Sequence, residues 1–163
     1  MKILLISDTH NSKAVLKDKV LPKHAGEIDM AIHLGDYARD MMYLQDRYAR
    51  INFVGVGGSF EFGEETEQIL EVGAGTDMRK ILLTHGHRQD VKAGLSRLVY
   101  YAASKQVDAC FFGHTHEPVI FTESGIFFMN PGSLTQPRGS GPGSYGLVTV
   151  LPDGKFVGEV VMQ

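Results

Sequence analysis

Met1-Lys2-Ile3-Leu4-Leu5-Ile6-Ser7-Asp8-Thr9-His10 opens the chain and contains the pattern on which the rest is built. Ile3 to Ile6 is an unbroken apolar run, as expected of a strand covered on both faces. Directly after it come a carboxylate and an imidazole, Asp8 and His10, two residues apart and able to converge on one metal ion. Later apolar runs end in the same way, in Gly35-Asp36, Gly58-Ser59, His85-Gly86-His87 and Gly113-His114-Thr115-His116. Five of the seven histidines therefore fall in loops directly after predicted strands. In α/β proteins ligands bind at the carboxyl ends of strands. Packing alone does not account for so many imidazoles, with two aspartates, at that one structural position.

The chain in order alternates strands with helices and then turns to strands alone. Strands are expected at 2–6, 30–34 and 51–54, then at 68–73 and 79–84 across a turn at 73–77, and at 109–112. Ser12 is placed to cap a first helix carrying Val15, Leu16 and Val20, which Pro22 helps to end. Tyr37, Met41, Leu44 and Tyr48 recur with the spacing of an amphipathic helix. Val91, Leu95, Leu98 and Ala102 mark another helix, with Asp90 as its cap. Past the Gly-rich segment 55–63 and these helices, short strands near 118–122, 126–129, 145–151 and 155–162 close the chain. The fold class this implies is α/β, two packed sheets flanked by helices.

At 163 residues the chain is read as one domain, 1–163, with 43% apolar and 21% charged residues, an ordinary globular mixture. Net charge is −3 and no basic stripe is present, which argues against a strong nucleic-acid footprint. The opening apolar run is too short for a signal peptide, and no run is long enough to span a bilayer. The lone Cys110 lies within Ala109-Cys110-Phe111-Phe112 and reads as a buried core residue, fitting a reducing, cytoplasmic setting.

Mixed imidazole and carboxylate donors suit borderline divalent metals such as Zn, Mn, Fe, Ni or Co. Two divalent ions would bring about +4 against about −2 from Asp8 and Asp36. With a bridging hydroxide the cluster is left at roughly +1, matched to a phosphodiester monoanion.

Ser7-Asp8-Thr9-His10, His33-Leu34-Gly35-Asp36, Thr84-His85-Gly86-His87, Gly113-His114-Thr115-His116 and Asn130-Pro131-Gly132-Ser133, in that order, resemble the motifs of the calcineurin-like metallophosphoesterases. The likeness is to their small bacterial and archaeal phosphodiesterase branch. The resemblance implies a four-layer sandwich, with two sheets inside and helices outside. It implies one metal held by Asp8, His10, Asp36 and His116, and a second sharing Asp36 and adding His85 and His114. It also implies attack on phosphorus by a metal-bridging hydroxide, with two divalent cations as cofactors: manganese first, with nickel, zinc, iron and magnesium as alternatives. The substrate class would be a small phosphodiester; a homo-oligomer is left open.

One segment departs from the family pattern. Where the family usually has Gly-Asn, this chain has Gly58-Ser59-Phe60-Glu61. Ser59 is a shorter and weaker neutral ligand for the second metal, and Glu61 falls where a leaving-group acid is expected. His87 is expected near the substrate. His33 is expected to be a core or supporting histidine, Arg39 and Arg138 are candidates for phosphate contact, and Asn130-Pro131-Gly132 is a turn that positions backbone near the metal loops. Two alternatives remain at this point. One is a metal-poor protein-binding scaffold like the retromer subunit of the same fold, and the other is a phosphomonoesterase.

Overall fold

Residues 1–61, 63–73 and 77–163 are described by a computed structural model. The continuous apolar run at the start becomes strand β1 (Lys2–Ile6), and its neighbours follow in parallel as β2 (Met30–His33) and β3 (Asn52–Gly55). The closing strands β9 (Ser144–Val150) and β10 (Phe156–Met162) add on antiparallel, giving a first sheet of order β10-β9-β1-β2-β3. The second sheet has the order β4-β5-β6-β8-β7, built from β4 (Glu67–Val72), β5 (Arg79–Thr84), β6 (Ala109–Phe112), β7 (Pro118–Glu123) and β8 (Ile126–Pro131). Its three central strands β5, β6 and β8 are parallel, and the two edges are antiparallel. The turn expected at 73–77 lies, at 74–76, outside the described residues.

Why β1 is apolar at every position is seen in its two faces. Ile3 and Leu5 point between the sheets, where they meet Ile81, Leu83, Phe111 and Met129. Leu4 and Ile6 point outward, against Leu16, Val20, Leu21, Met41 and Leu44. The second sheet repeats this: Phe111 faces inward, while Cys110 and Phe112 pack outward against Val91, Leu98 and Ala102. A fully buried Leu or Ile side chain contributes roughly 1.5–3 kcal/mol, so the alternation of the two cores along one strand sets its register. The result is the expected four-layer α/β sandwich.

The helical layers differ from expectation in detail. The first is one helical path in three parts, α1 (Lys13–Val15), a π turn (Leu16–Val20) and α2 (Leu21–His24). Pro22 therefore sits where the π turn passes into α2 and does not end the helix. Ser12 stands at the N-cap, but its side chain makes no capping bond. The pattern Tyr37–Tyr48 yields only α3 (Arg39–Met42), followed by turns closed by such bonds as Gln45 N–H to the Met42 carbonyl at 3.2 Å. Met41 and Leu44 are nevertheless buried, so the periodicity reported the buried face and overstated the helix. The last helix, α4 (Ser96–Ser104), begins after Gly94, whose φ of 148° no helix continues through. Asp90 does not cap it; it ends a short turn in a left-handed conformation at φ 54° and pairs with Arg97. Among the described residues, no helix is long and apolar enough to cross a membrane.

Candidate metal centre

The loops after β1, β2, β3, β5 and β6 meet at one end of the sandwich, and the buried Asp8, Asp36 and His85 lie at its floor. Two groups of donors form there. Asp8, His10, Asp36 and His116 offer ligand atoms all within 4.8 Å of one another, and so do Asp36, His85 and His114, so Asp36 belongs to both. Ser59 adjoins the second group: its N–H donates to Asp36 Oδ1 at 2.7 Å, and its Oγ lies 3.3 Å from His114 Nδ1. The His87 ring is 5.4 Å from that of His85 and 6.1 Å from that of His114, beside the second group and outside both.

Backbone geometry at these positions is unusual. Asp8, His10, Asp36, His114 and His116 all have positive φ, between 46° and 70°, and make up half of the non-glycine residues so placed among the described residues. Such conformations cost on the order of 1–3 kcal/mol each and persist where the surroundings over-determine them. Glycines beside the donors let the loops touch. A Cβ on Gly58 would stand 2.1 Å from the Asp36 nitrogen, and one on Gly113 would stand 2.0 Å from Ser7 Oγ.

The imidazoles are oriented from behind. His85 Nδ1 lies 2.7 Å from the Leu34 carbonyl and His116 Nδ1 2.6 Å from that of Gln136. Donation of Nδ1–H to those oxygens turns each Nε2 toward the cluster. His85 Nε2 then lies 3.4 Å from Asp36 Oδ1, and His116 Nε2 lies 3.1 Å from Asp8 Oδ1. The second approach lacks hydrogen-bond alignment, and Asp8 Oδ1 is buried with no hydrogen-bond partner among the described residues. Lone pairs turned toward carboxylate oxygens repel unless positive charge, a proton or a cation, lies between them. A buried unpaired carboxylate oxygen among imidazole nitrogens therefore fits a divalent cation.

Titration follows the same logic. Burial would raise the pKa of both aspartates, but the neighbouring His116, His85 and Ser7 bring Asp8 below its ordinary value. For Asp36 the His85 ring and the Ser59 amide outweigh burial and lower it to about 2. Both stay ionised near neutrality. His114 is lowered to about 4 by burial and by His85, and His10 and His87 are also lowered, chiefly by burial. Contact with Asp8 raises His116 against its burial, and Asp36 and Asp8 raise the buried His85.

A ring of side chains holds the donors; sequence reasoning anticipates the Asn130 segment and His33 in it, but not Ser133, Thr9 or Asp40. Ser133 Oγ donates to the Asp8 carbonyl at 2.7 Å, and Asn130 Nδ2 to the Gly113 carbonyl at 2.9 Å; Asn130 and Pro131 end β8, where a turn was expected, and the Asn-Pro-Gly-Ser segment ties the first and last donor loops together. Beneath them, Thr9 Oγ1 donates to Asp40 Oδ2 at 2.9 Å and lies 3.0 Å from His33 Nε2. The threonine has one proton, so it accepts from His33 Nε2–H. His33 is fully buried and burial lowers its pKa to about 3, so it supports the loop as a neutral ring. Only the tertiary pairing reveals these contacts, although Asn130 and Ser133 belong to a visible motif.

Glu61, expected as the leaving-group acid, makes two bonds to backbone amides. Its Oε1 accepts the Ala38 N–H at 2.8 Å and its Oε2 the Gly58 N–H at 2.7 Å. With one amide donor on each oxygen, the carboxylate is a brace between the Asp36 and Ser59 loops. Arg39, a candidate for phosphate contact, instead donates to Glu64 Oε1 at 2.6 Å and reinforces the same two loops. Arg138 is exposed at the rim, its Nε donating to the Thr115 carbonyl at 3.3 Å.

Comparison with known proteins shows the family and the fold. The model of the calcineurin-like phosphoesterase superfamily domain matches residues 1–153. The probable metallophosphoesterase YsnB of Bacillus subtilis is 32% identical over 158 residues, covering 96% of this chain and 89% of the relative. The phosphodiesterase YfcE of Escherichia coli is 39% identical over 94 residues, 53% of this chain and 47% of its own length. Among solved structures, wild-type Vps29 of Entamoeba histolytica complexed with zinc superposes with a TM-score of 0.72 at 25% identity, covering 99% of both chains.

Proposed function

Because the chain belongs to the calcineurin-like phosphoesterase superfamily, we propose that it is a divalent-metal-dependent phosphodiesterase. The carrying observation is the pair of donor groups that share Asp36, with every ligand atom in a group within 4.8 Å of the others. Asp8, His10, Asp36 and His116 would hold one cation. Asp36, His85 and His114, with Ser59 beside them, would hold a second. When bound, such cations supply Lewis acidity toward phosphoryl oxygens and a water nucleophile made acidic enough to act near neutral pH.

The chain's own groups set the rest. The ionised Asp8 and Asp36 leave a loaded site net positive, which favours an anionic ester. His85 and His116, oriented by the Leu34 and Gln136 carbonyls, keep their Nε2 atoms directed inward. His87, neutral near pH 7 because burial lowers its pKa, has one N–H to offer an ester oxygen beside the second group. Manganese is the cation we assign first, given that carboxylate oxygens suit it and that Asp8 and Asp36 supply two of the four donors in the first group. The zinc complex of Vps29 fits a fold able to take such ions.

The test is hydrolysis of a panel of phosphodiesters and phosphomonoesters by chelator-stripped protein resupplied with Mn, Mg, Ni, Zn or Fe. Diester hydrolysis restored by metal and abolished in Asp36→Ala or His85→Ala is the expected result. Retained activity in those variants would overturn the assignment, and activity on no ester with any metal would move the reading to a protein-binding scaffold. Turnover of monoesters alone would make the protein a monoesterase.

A further inference from the structure

Two aromatic side chains stand exposed at the edge of the donor cluster. Tyr37 is 40% and Phe60 64% exposed, and their ring centroids lie 5.8 and 6.3 Å from the ring of His10. Among the described residues neither belongs to a core cluster, so core packing there does not account for their size. Tyr37 is also held in a left-handed backbone conformation, φ 77°, which bulky residues avoid. The fold holds it there: its carbonyl accepts from Asp40 N–H at 2.9 Å. Phe60 is carried between Ser59, bonded to Asp36, and Glu61, bonded to Ala38 and Gly58. Both rings are thus fixed to the loops that bear the donors and left open to water.

We propose that Tyr37 and Phe60 form an aromatic subsite for a planar group esterified to the phosphate, so that the preferred substrates are nucleoside or aryl phosphodiesters. The inference rests on the phosphodiesterase reading above. A phosphate drawn to the cation cluster at His10 brings its ester substituent over the adjoining rings. A planar substituent gains face or edge contact with an aromatic ring that an alkyl group of similar reach does not, and it gains this whichever base is present. Strain at Tyr37 and exposure of Phe60 then have one explanation, a rim shaped for contact made only with substrate bound.

The experiment uses manganese-loaded protein and two diesters with the same leaving group and sugar, thymidine 5′-ethyl phosphate and its counterpart lacking the base. A second arm measures binding of thymidine 5′-phosphate and 2-deoxyribose 5-phosphate by calorimetry. The base is expected to raise kcat/KM and affinity by about tenfold or more, where tenfold equals about 1.4 kcal/mol. Phe60→Ala, at an exposed position, should bring the ratio toward one. So should Tyr37→Asn, which removes the ring and keeps a residue suited to positive φ. Phe60→Trp should preserve the ratio. A ratio near one in the unaltered protein, or a tenfold ratio that survives both ring deletions, overturns the subsite. If neither diester is hydrolysed but the binding ratio behaves as expected, the subsite stands and the phosphodiesterase reading fails.

Discussion

Glu61 illustrates how a single side chain changes meaning once its partners are known. A carboxyl group near a candidate metal pair suggests a proton donor, but two backbone N–H groups occupy its oxygens at 2.8 and 2.7 Å. Glu61→Gln should therefore act on loop geometry. One of the two amide bonds is lost, because the carboxamide presents a donor where the carboxylate accepted, and each bond to a charged acceptor is worth roughly 1.5–3 kcal/mol. The expected outcome is a lower melting temperature, weaker metal binding and a uniform fall in rate across esters of differing leaving-group pKa. A fall confined to poor leaving groups, with unchanged stability and metal affinity, would restore the acid role. Ser59 stands beside the second donor group, its Oγ 3.3 Å from His114 Nδ1.

Strands were legible and helices only partly so, for a physical reason. An apolar run buried on both faces leaves an unambiguous trace, and β1, β5 and β6 lie within a residue of where their runs place them. Helical periodicity reports which side chains are buried. It says less about whether the backbone between them closes i→i+4 bonds, as the turns after α3 show. Gly94 offers a direct check. If the helix ran through it from Val91, alanine there would stabilise the protein by about 1 kcal/mol. Because Gly94 has φ 148° just before α4, Gly94→Ala should instead destabilise by about 1 kcal/mol, measured by denaturant unfolding. A gain in stability would mean that α4 begins earlier.

For the molecule as a whole, the donor loops rest on buried polar groups that make stability depend on pH. His33, between the sheet and Thr9, has its pKa lowered from 6.5 to about 3. The unfolded chain therefore binds the proton first as pH falls. The stability linked to His33 is complete above about 6.5 and declines down to about 3, by at most about 1.4 kcal/mol per pH unit. His85 and His116, whose values are raised, act in the opposite sense, so the comparison of two proteins isolates His33. Metal-free protein carrying His33→Gln should show a shallower loss of stability between pH 6.5 and pH 4 than the unaltered chain. Equal slopes would show that the ring is protonated in the folded state.

The order of apolar runs and the Asp and His residues that follow them were enough to establish two covered sheets and the candidate donors, because strand burial and donor chemistry are properties of residue type and spacing; the family showed as a resemblance in the motifs those residues form. The roles of Glu61, Arg39, Ser133, Asn130 and Thr9, and the aromatic rim at Tyr37 and Phe60, depended on which loops the two sheets bring side by side. A hydrogen bond between residues far apart in the chain leaves no local periodicity. The loop donors of this site acquire their partners only when both sheets close over the shared core between Ile3 and Phe111.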